Sequence, residues 1–328
     1  MELGGHSPAV WLTFSALVAF LLWLDLGVLN RRAHVLSFKE AIGASAGWVA
    51  LAFVFAAWLW LREGTTQALE YVTGYLVELS LSVDNLFVFI LVFQYFGVPP
   101  ALQPRVLKWG ILGAILMRAI MIGLGALLLA RFTWIPFVFG AILVVTGIRM
   151  MLQGEIHIDP SKNPLVRLMR RWLPVAKRYH GRSFVVRTRY RWLVTPLLVV
   201  LAFVEWTDLV FAIDSIPAVF AVTNDPFIVY SSNVFAILGL RSMFFVLAGA
   251  VDRFVYFQPG VSAILVFVGT KMIIAPWVHI PIAISLGVIV GILTLAVVAS
   301  VWKNRRDEAR AAAAALAPSE PEAPHAPS

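Results

Sequence analysis

Nine apolar stretches, separated by charged residues, proline or glycine, account for most of this chain of 328 residues. A helix needs about 20 apolar residues to cross the hydrocarbon core of a bilayer, and these stretches are close to that length or longer. The chain is 60% hydrophobic and 13% charged, whereas about a quarter of the residues of a soluble domain are charged. The sequence therefore predicts an all-α, polytopic membrane helix bundle of about nine transmembrane helices. The predicted spans are 9–29, 41–61, 69–96, 107–130, 134–152, 193–222, 229–250, 259–275 and 281–302.

The basic residues between the spans predict the orientation. If the N-terminus lies outside, the cytoplasmic segments include the basic loop 153–192 and the tail from Lys303 to Arg310, whereas the outer loops hold little beyond Arg62 and Arg131. Positive residues favour the cytoplasmic side of a membrane, so the pattern predicts N-out and C-in. The net charge of +8 is thus an orientation signal that implies anionic lipid headgroups, not nucleic acid, as partners.

Two segments fall outside the predicted spans, and together with the termini they define the domain organisation. The loop 153–192 contains NPLVRLMRRWLPVAKRY, which we interpret as an interfacial helix on anionic lipid, with a regulatory site as the alternative. Residues 1–302 are predicted to form one transmembrane domain, and 303–328 a cytoplasmic low-complexity tail whose last 20 or so residues are disordered. The first residues, MELGGHSPAV, carry no basic stretch, so no cleavable signal peptide is expected.

An internal repeat relates the third to fifth helices to the sixth to eighth. AILVVTGIRM (141–150) matches AILVFVGTKM (263–272), and the fourth and seventh helices match around Arg118 and Arg241. The third and sixth match in VELSLSVDNLFVF and TDLVFAIDSIPAVF. Because each unit has three helices, the second is inverted relative to the first. Inverted repeats of this kind build many secondary transporters and place the substrate site near the middle of the membrane.

Six acids and two bases lie well inside the predicted spans, namely Asp25, Glu78, Asp84, Glu205, Asp208, Asp214, Arg118 and Arg241. An ionised group at mid-membrane costs at least about 2.5–3.5 kcal/mol, so such residues are rarely accidental. Because two bases cannot neutralise six acids, some acids must be protonated or a cation must supply the missing charge. We interpret Arg118 and Arg241 as counter-charges that orient carboxylates, and Asp84 and Asp214 as functional. For Asp25 a structural role and a functional role stay equally open.

Oxygen-bearing side chains accompany these acids on the same helices, namely Asn85, Ser215, Ser80, Ser82 and Thr207. Glu205 and Asp208 are three residues apart and share a helix face, whereas Glu78 and Asp84 would converge only if the helix broke or twisted near Ser80–Ser82. In the sixth helix, Pro217 frees a backbone carbonyl one turn earlier. Carboxylate, amide and carbonyl oxygens suit Mg²⁺, Ca²⁺ or Mn²⁺. With no cysteine, and with histidines only in loops or at helix ends, a zinc or copper site is not favoured.

The segments VELSLSVDNLFVF and EWTDLVFAIDSIPAVFAVT resemble the two signature stretches of the TerC family, and the chain is similar to its Alx-like members. LDLGVLNRRAHVLSFKEA and FAILGLRSMFF fit the same family, so the resemblance covers about residues 10–300. It implies a multi-pass protein of the bacterial inner membrane, related to cation exporters, with Mn²⁺ export as the first expectation. The family name refers to tellurium resistance, and Alx-like members are associated with alkaline pH. Carried over by position, the metal-site residues are Glu78, Asp84, Asn85, Asp208, Asp214 and Ser215.

Three functions compete at this point. The first is a divalent-cation exporter, with Mn²⁺ as the transported ion, no permanently bound cofactor and no enzymatic activity; proton exchange on the same carboxylates is compatible with it. The second is a non-transporting membrane subunit of a tellurite-resistance or redox-stress complex, acting indirectly because an acidic cavity repels an oxyanion. The third, an intramembrane aspartyl protease, is disfavoured because neither aspartate has a Gly-Asp signature.

Overall fold

The computed structural model describes most of the chain, with side chains given up to residue 306 except that of Asp84. The described residues are 6–25, 36–152, 171, 173–176, 178–187, 192–249, 256–278 and 280–316. Over these ranges the structure has nine α-helices and one two-stranded sheet. They are α1 (Pro8–Trp23), α2 (Phe38–Arg62), α3 (Thr65–Tyr95), α4 (Gln103–Arg131), α5 (Ile135–Leu152), β1 (Val185–Arg187), β2 (Trp192–Val194), α6 (Pro196–Phe220), α7 (Pro226–Ala248), α8 (Phe257–Ile274) and α9 (Ile282–Leu316).

Eight of the described helices, α2 to α9, are long and apolar enough to cross a membrane. The first, α1, is apolar but has only 16 residues before Leu24. The predicted all-α membrane bundle is therefore confirmed. Several helices begin earlier than their apolar stretches because a proline occupies the first turn, as Pro104 does in α4 and Pro226 does in α7. Proline fits there because the first turn needs no N–H donors. The N-out orientation stays a prediction.

The segments outside the spans differ from expectation in two ways. Helix α9 continues through the start of the predicted disordered tail and ends at Leu316, because the segment after Arg310 is almost all alanine, the best helix former. Strand β1 lies within the predicted loop 153–192 and pairs antiparallel with β2, which starts at the last loop residue, Trp192, and extends into the predicted sixth span; no strand was expected in either segment. Most of the predicted interfacial helix, NPLVRLMRRWLPVAKRY, lies outside the described residues. Its described residues 173–176 and 178–179 are not helical, because Pro174 and Ala176 form backbone hydrogen bonds with Val194.

Helices α3 and α7 form the centre of the bundle. In α7, 83% of the most apolar window is buried within the protein, and in α3 71%, whereas the value is 17% for α2 and α9. The outer helices expose large apolar side chains such as Leu61 and Leu295, as a surface in contact with lipid requires. The polar residues Ser231, Ser232 and Asn233 of α7 are fully buried, so this central helix contributes polar groups to the interior of the bundle.

The beginning of α7 is held by the acid Asp225. Its Oδ1 accepts a hydrogen bond from the Phe227 N–H at 2.9 Å, which caps the helix. Its Oδ2 lies 2.8 Å from Nε2 of His6, in the segment before α1. These contacts fix the position of the first turn of α7. They therefore also fix the position, along the bundle axis, of the buried polar residues farther along this helix.

Helices α5 and α8 pack through glycine. A Cβ atom on Gly269 would lie 2.7 Å from the Gly140 carbonyl oxygen, and one on Gly147 would lie 2.8 Å from the Ser262 carbonyl oxygen. Small residues let membrane helices approach this closely. In the alignment of the sequence repeat, Gly140 corresponds to Ser262 and Gly147 to Gly269. The contact of Gly269 with Gly140 is therefore the repeat equivalent of the contact of Gly147 with Ser262. This is the relation that an inverted repeat would produce, although the repeat itself stays a prediction.

Candidate functional site

A buried guanidinium joins helices α3, α4, α6 and α7. Arg118 on α4 is completely buried and forms an ion pair with Glu78 of α3. Its Nη2 lies 3.7 Å from Oδ1 of Asp208 on α6, and its Nη1 donates a hydrogen bond to Oδ1 of Asn233 on α7 at 2.6 Å. The two acids were predicted from the sequence to belong to one site, and the structure brings them together around this arginine.

Two further hydrogen bonds orient the partners of Arg118. Ser82 donates from Oγ to Oε1 of Glu78 at 3.0 Å. Asn233 donates from Nδ2 to the Val229 carbonyl at 2.9 Å, which turns its amide oxygen toward the guanidinium. Sequence reasoning missed Asn233. The signal was present as the polar run Ser-Ser-Asn inside an otherwise apolar span.

The charges of this cluster do not balance. The two carboxylates of Glu78 and Asp208 and the one guanidinium of Arg118 leave a net charge of −1 if all three are ionised. Oε2 of Glu78 and Oδ2 of Asp208 are buried and have no hydrogen-bond partner in the described part of the protein, and the same is true of Nε and Nη2 of Arg118. Buried polar oxygens are almost always paired, so it is the two unpaired acceptors together with the net charge of −1 that favour the approach of a cation.

A small cavity adjoins the cluster. It has a volume of about 20 Å³ and is lined by Glu205, Asp208 and Arg241 together with apolar side chains of α3, α4, α6 and α7. We call it the deep cavity. Its volume is sufficient for one water molecule, and hence for one dehydrated metal ion of similar size. The Glu205 carboxylate lies directly over Gly113 of α4, at the place a Cβ atom there would occupy.

A second, larger cavity lies between α1, α2 and α7. Its volume is about 360 Å³, and its lining includes Asp25, Trp48, Ser242 and Arg241. We call it the vestibule. Nη1 of Arg241 lies 3.8 Å from Oδ2 of Asp25, and both residues are buried. Among the described residues, Arg241 is the only one that lines both cavities.

Among the described residues, no hydrogen bond or ion pair joins the remaining predicted ligands to this cluster. Asp214 of α6 accepts a hydrogen bond from Oγ1 of Thr146 on α5 at 2.9 Å, a partner that sequence reasoning missed. Ser215 and Asn85 are buried, and Oγ of Ser215 and Nδ2 of Asn85 have no hydrogen-bond partner in the described part of the chain. The side chain of Asp84 lies outside the described residues.

The predicted convergence of acids on one point is not seen among the described side chains. They contain no group of three or more His, Cys, Asp or Glu residues arranged to hold a metal ion. Helix α3 is continuous from Thr65 to Tyr95, so the break near Ser80–Ser82 that would bring Glu78 and Asp84 together is absent. Oγ of Ser80 donates to the Val77 carbonyl at 2.7 Å, a bond that a regular helix accommodates. The six-residue metal site stays a prediction.

Comparison with protein families gives one match that covers most of the chain. The family described as "Integral membrane protein TerC family" matches residues 63–308. No solved structure matches the chain.

Individual relatives match over nearly the whole length. The chain is 52% identical over 299 residues to a membrane protein of Myxococcus xanthus, covering 91% of this chain and 94% of that one. It is 48% identical over 309 residues to Alx of Salmonella typhi, covering 92% and 96% of the two chains. It is 47% identical over 311 residues to Alx of Escherichia coli strain K12, covering 92% and 97%. Both Alx proteins are named as proposed membrane-bound redox modulators.

Proposed function

The chain belongs to the TerC family of integral membrane proteins, and on that premise we propose that it exports a divalent cation, Mn²⁺ first among the candidates, through the buried carboxylates. The observation that supports this proposal is the unbalanced charge around Arg118. Glu78 and Asp208 share one guanidinium and keep an oxygen each without a partner. A cation passing the cluster would supply the missing positive charge.

The position of the cluster favours movement of an ion over a purely structural role. Glu205 adds another carboxylate beside Asp208, in a cavity with room for one ion. A cluster that served only to hold the helices together would be expected to balance its charges, because an uncompensated buried carboxylate costs several kcal/mol. The acidic lining also repels oxyanions, so direct handling of tellurite is disfavoured.

The donor atoms limit which metal ions the predicted site could bind, and the family resemblance selects one of those ions. The chain has no cysteine, and the acids, Asn85 and Ser215 supply oxygen donors. Oxygen donors suit Mn²⁺, Mg²⁺ and Ca²⁺ better than copper or zinc. Mn²⁺ is preferred because two stretches of this chain resemble the signature stretches of the TerC family, and that resemblance implies Mn²⁺ export.

The direct test is Mn²⁺ movement by the purified protein in liposomes, together with Mn²⁺ content of cells with and without the gene. Neutralising Asp208 as Asp208→Asn is expected to reduce the transport rate by about 10–100-fold, the range seen when groups that support a metal site are removed. Asp84→Asn and Asp214→Asn test the two acids that the sequence singles out as functional. Glu63→Gln is the matched control, because Glu63 is an exposed acid at the end of α2. Unchanged Mn²⁺ in all strains and liposomes would contradict the proposal.

A smaller change, in which a glycine beside Glu205 is replaced, tests whether Glu205 takes part in ion transport. Replacing Gly113 by Ala places a Cβ atom where the Glu205 carboxylate now lies, and this flexible side chain must move away. We expect transport to fall by about tenfold while the melting temperature changes little. In Gly123→Ala, on the same helix, the new Cβ meets nothing within 4 Å, so transport should stay at the wild-type rate. Equal transport in both variants would remove Glu205 from the pathway.

A second candidate function follows from the names of the Alx relatives. A redox role could not use thiols of this chain, since it has none, but it is compatible with action through a transported ion or a partner protein. Mn²⁺ transport by the purified protein in liposomes without any partner would exclude a role as a non-transporting subunit only.

A further inference from the structure

The two buried arginines are held very differently. Arg118 has three partners: ion pairs with Glu78 and Asp208 and a hydrogen bond to Asn233. For Arg241 the structure gives one ion pair, with Asp25 at 3.8 Å, which exceeds hydrogen-bond distance. In both arginines Nε and Nη2 are buried without a hydrogen-bond partner in the described part of the chain, so the difference lies in Nη1. Nη1 of Arg118 donates to Asn233, whereas among the described residues Nη1 of Arg241 has only the distant ion pair with Asp25, so the guanidinium of Arg241 is the less constrained of the two.

Arg241 lies between the two cavities, so a movement of its side chain would change the connection between them. On one side lies the deep cavity, with Glu205 and Asp208; on the other lies the vestibule, with Asp25. Oδ2 of Asp208 is itself buried and unpaired. Carboxylates therefore lie on both sides of the guanidinium, and its positive charge stands between the two spaces.

We propose that Arg241 is the gate between the vestibule and the deep cavity: it closes the path in the position seen here, where it lines both spaces, and opens it when it moves farther into the vestibule, from 3.8 Å to hydrogen-bond distance of Asp25. A cation that reaches the deep cavity repels the guanidinium and favours the open position. Asp25 stabilises that position. The inference rests on the proposed cation transport, and it adds a barrier to ion movement at Arg241. In the N-out orientation the vestibule, at the end of α1, faces the cytoplasm.

Because the chain has no cysteine, single cysteines report on access without any background reaction. The probe is Ag⁺, a thiol-reactive cation of about the size of water, added to vesicles from either side. Ala114→Cys reports on the deep cavity and Ala44→Cys on the vestibule. Ala236→Cys is the control, because Ala236 is fully buried and lines neither cavity.

With Arg241 present, the thiol in the vestibule should react quickly and the thiol in the deep cavity slowly. In Arg241→Gln the reaction at Ala114→Cys should become faster by about tenfold or more, because one opposing charge at short range in protein outweighs thermal energy several times. Arg241→Lys, which keeps the charge, should stay slow. Asp25→Asn should make the deep thiol slower still, because the guanidinium loses its partner in the open position.

The outcomes separate the gate from the transport proposal. Equal Ag⁺ rates at Ala114→Cys with and without Arg241, or an equal acceleration at Ala236→Cys, would overturn the gate, the latter by showing a general loosening. A faster reaction in Asp25→Asn would also overturn it. If the Ag⁺ rates follow expectation but the wild-type protein moves no Mn²⁺ in liposomes, the gate stands and the assignment of Mn²⁺ as cargo fails.

Discussion

Replacing Arg118 by methionine is expected to lower the free energy of unfolding by about 3–5 kcal/mol, the cost of removing one partner from a buried ion pair. The variant leaves the carboxylates of Glu78 and Asp208 buried without their shared counter-charge, and it leaves the amide oxygen of Asn233 without a donor. A loss of this size is a large fraction of the stability of an ordinary domain. Thermal or denaturant unfolding in mild detergent measures it.

Two further variants show whether the loss comes from the unpaired acids. Arg131→Gln removes an exposed arginine from the end of the same helix and should change stability by less than about 0.5 kcal/mol. Adding Glu78→Gln to Arg118→Met should restore part of the loss, because one buried charge no longer needs a partner. If Arg118→Met were as stable as the wild type, the cluster would not be the ionised network described above.

Replacing Gly269 by leucine is expected to separate α5 from α8 and to cost about 3 kcal/mol, near the upper end of the usual range for overpacking. The new Cβ would lie 2.7 Å from both the Gly140 carbonyl oxygen and Cβ of Leu143. Neither atom is the far end of a flexible side chain, so the backbones must move. Because α5 also carries Thr146, the hydrogen bond to Asp214 should be disturbed at the same time.

The control for this variant is a glycine with open space around it. Gly287→Leu on α9 adds a Cβ that meets nothing within 4 Å, so it should be tolerated. Melting temperature in detergent and resistance to proteolysis compare the two variants. Equal stability of Gly269→Leu and Gly287→Leu would show that the close approach of α5 and α8 is not needed for the fold.

The sequence was most informative where a property belongs to a single helix. The spans follow from length and hydropathy, and α5, predicted at 134–152, is observed at Ile135–Leu152. The tail was less predictable because its low-complexity sequence is typical of disorder, whereas its alanines favour the helix that continues to Leu316. The strands β1 and β2 could not be predicted because three-residue strands carry almost no periodic signal.

The sequence by itself determined that this chain spans a membrane many times and carries more acids than bases within it, because hydropathy and charge are properties of the residues alone. Only the tertiary structure decided how those charges are distributed. Arg118 lies between Glu78 and Asp208, Arg241 lies near Asp25, and Asp214 bonds to Thr146. These partners come from different helices, and the rotation and height of each helix depend on how all of them pack.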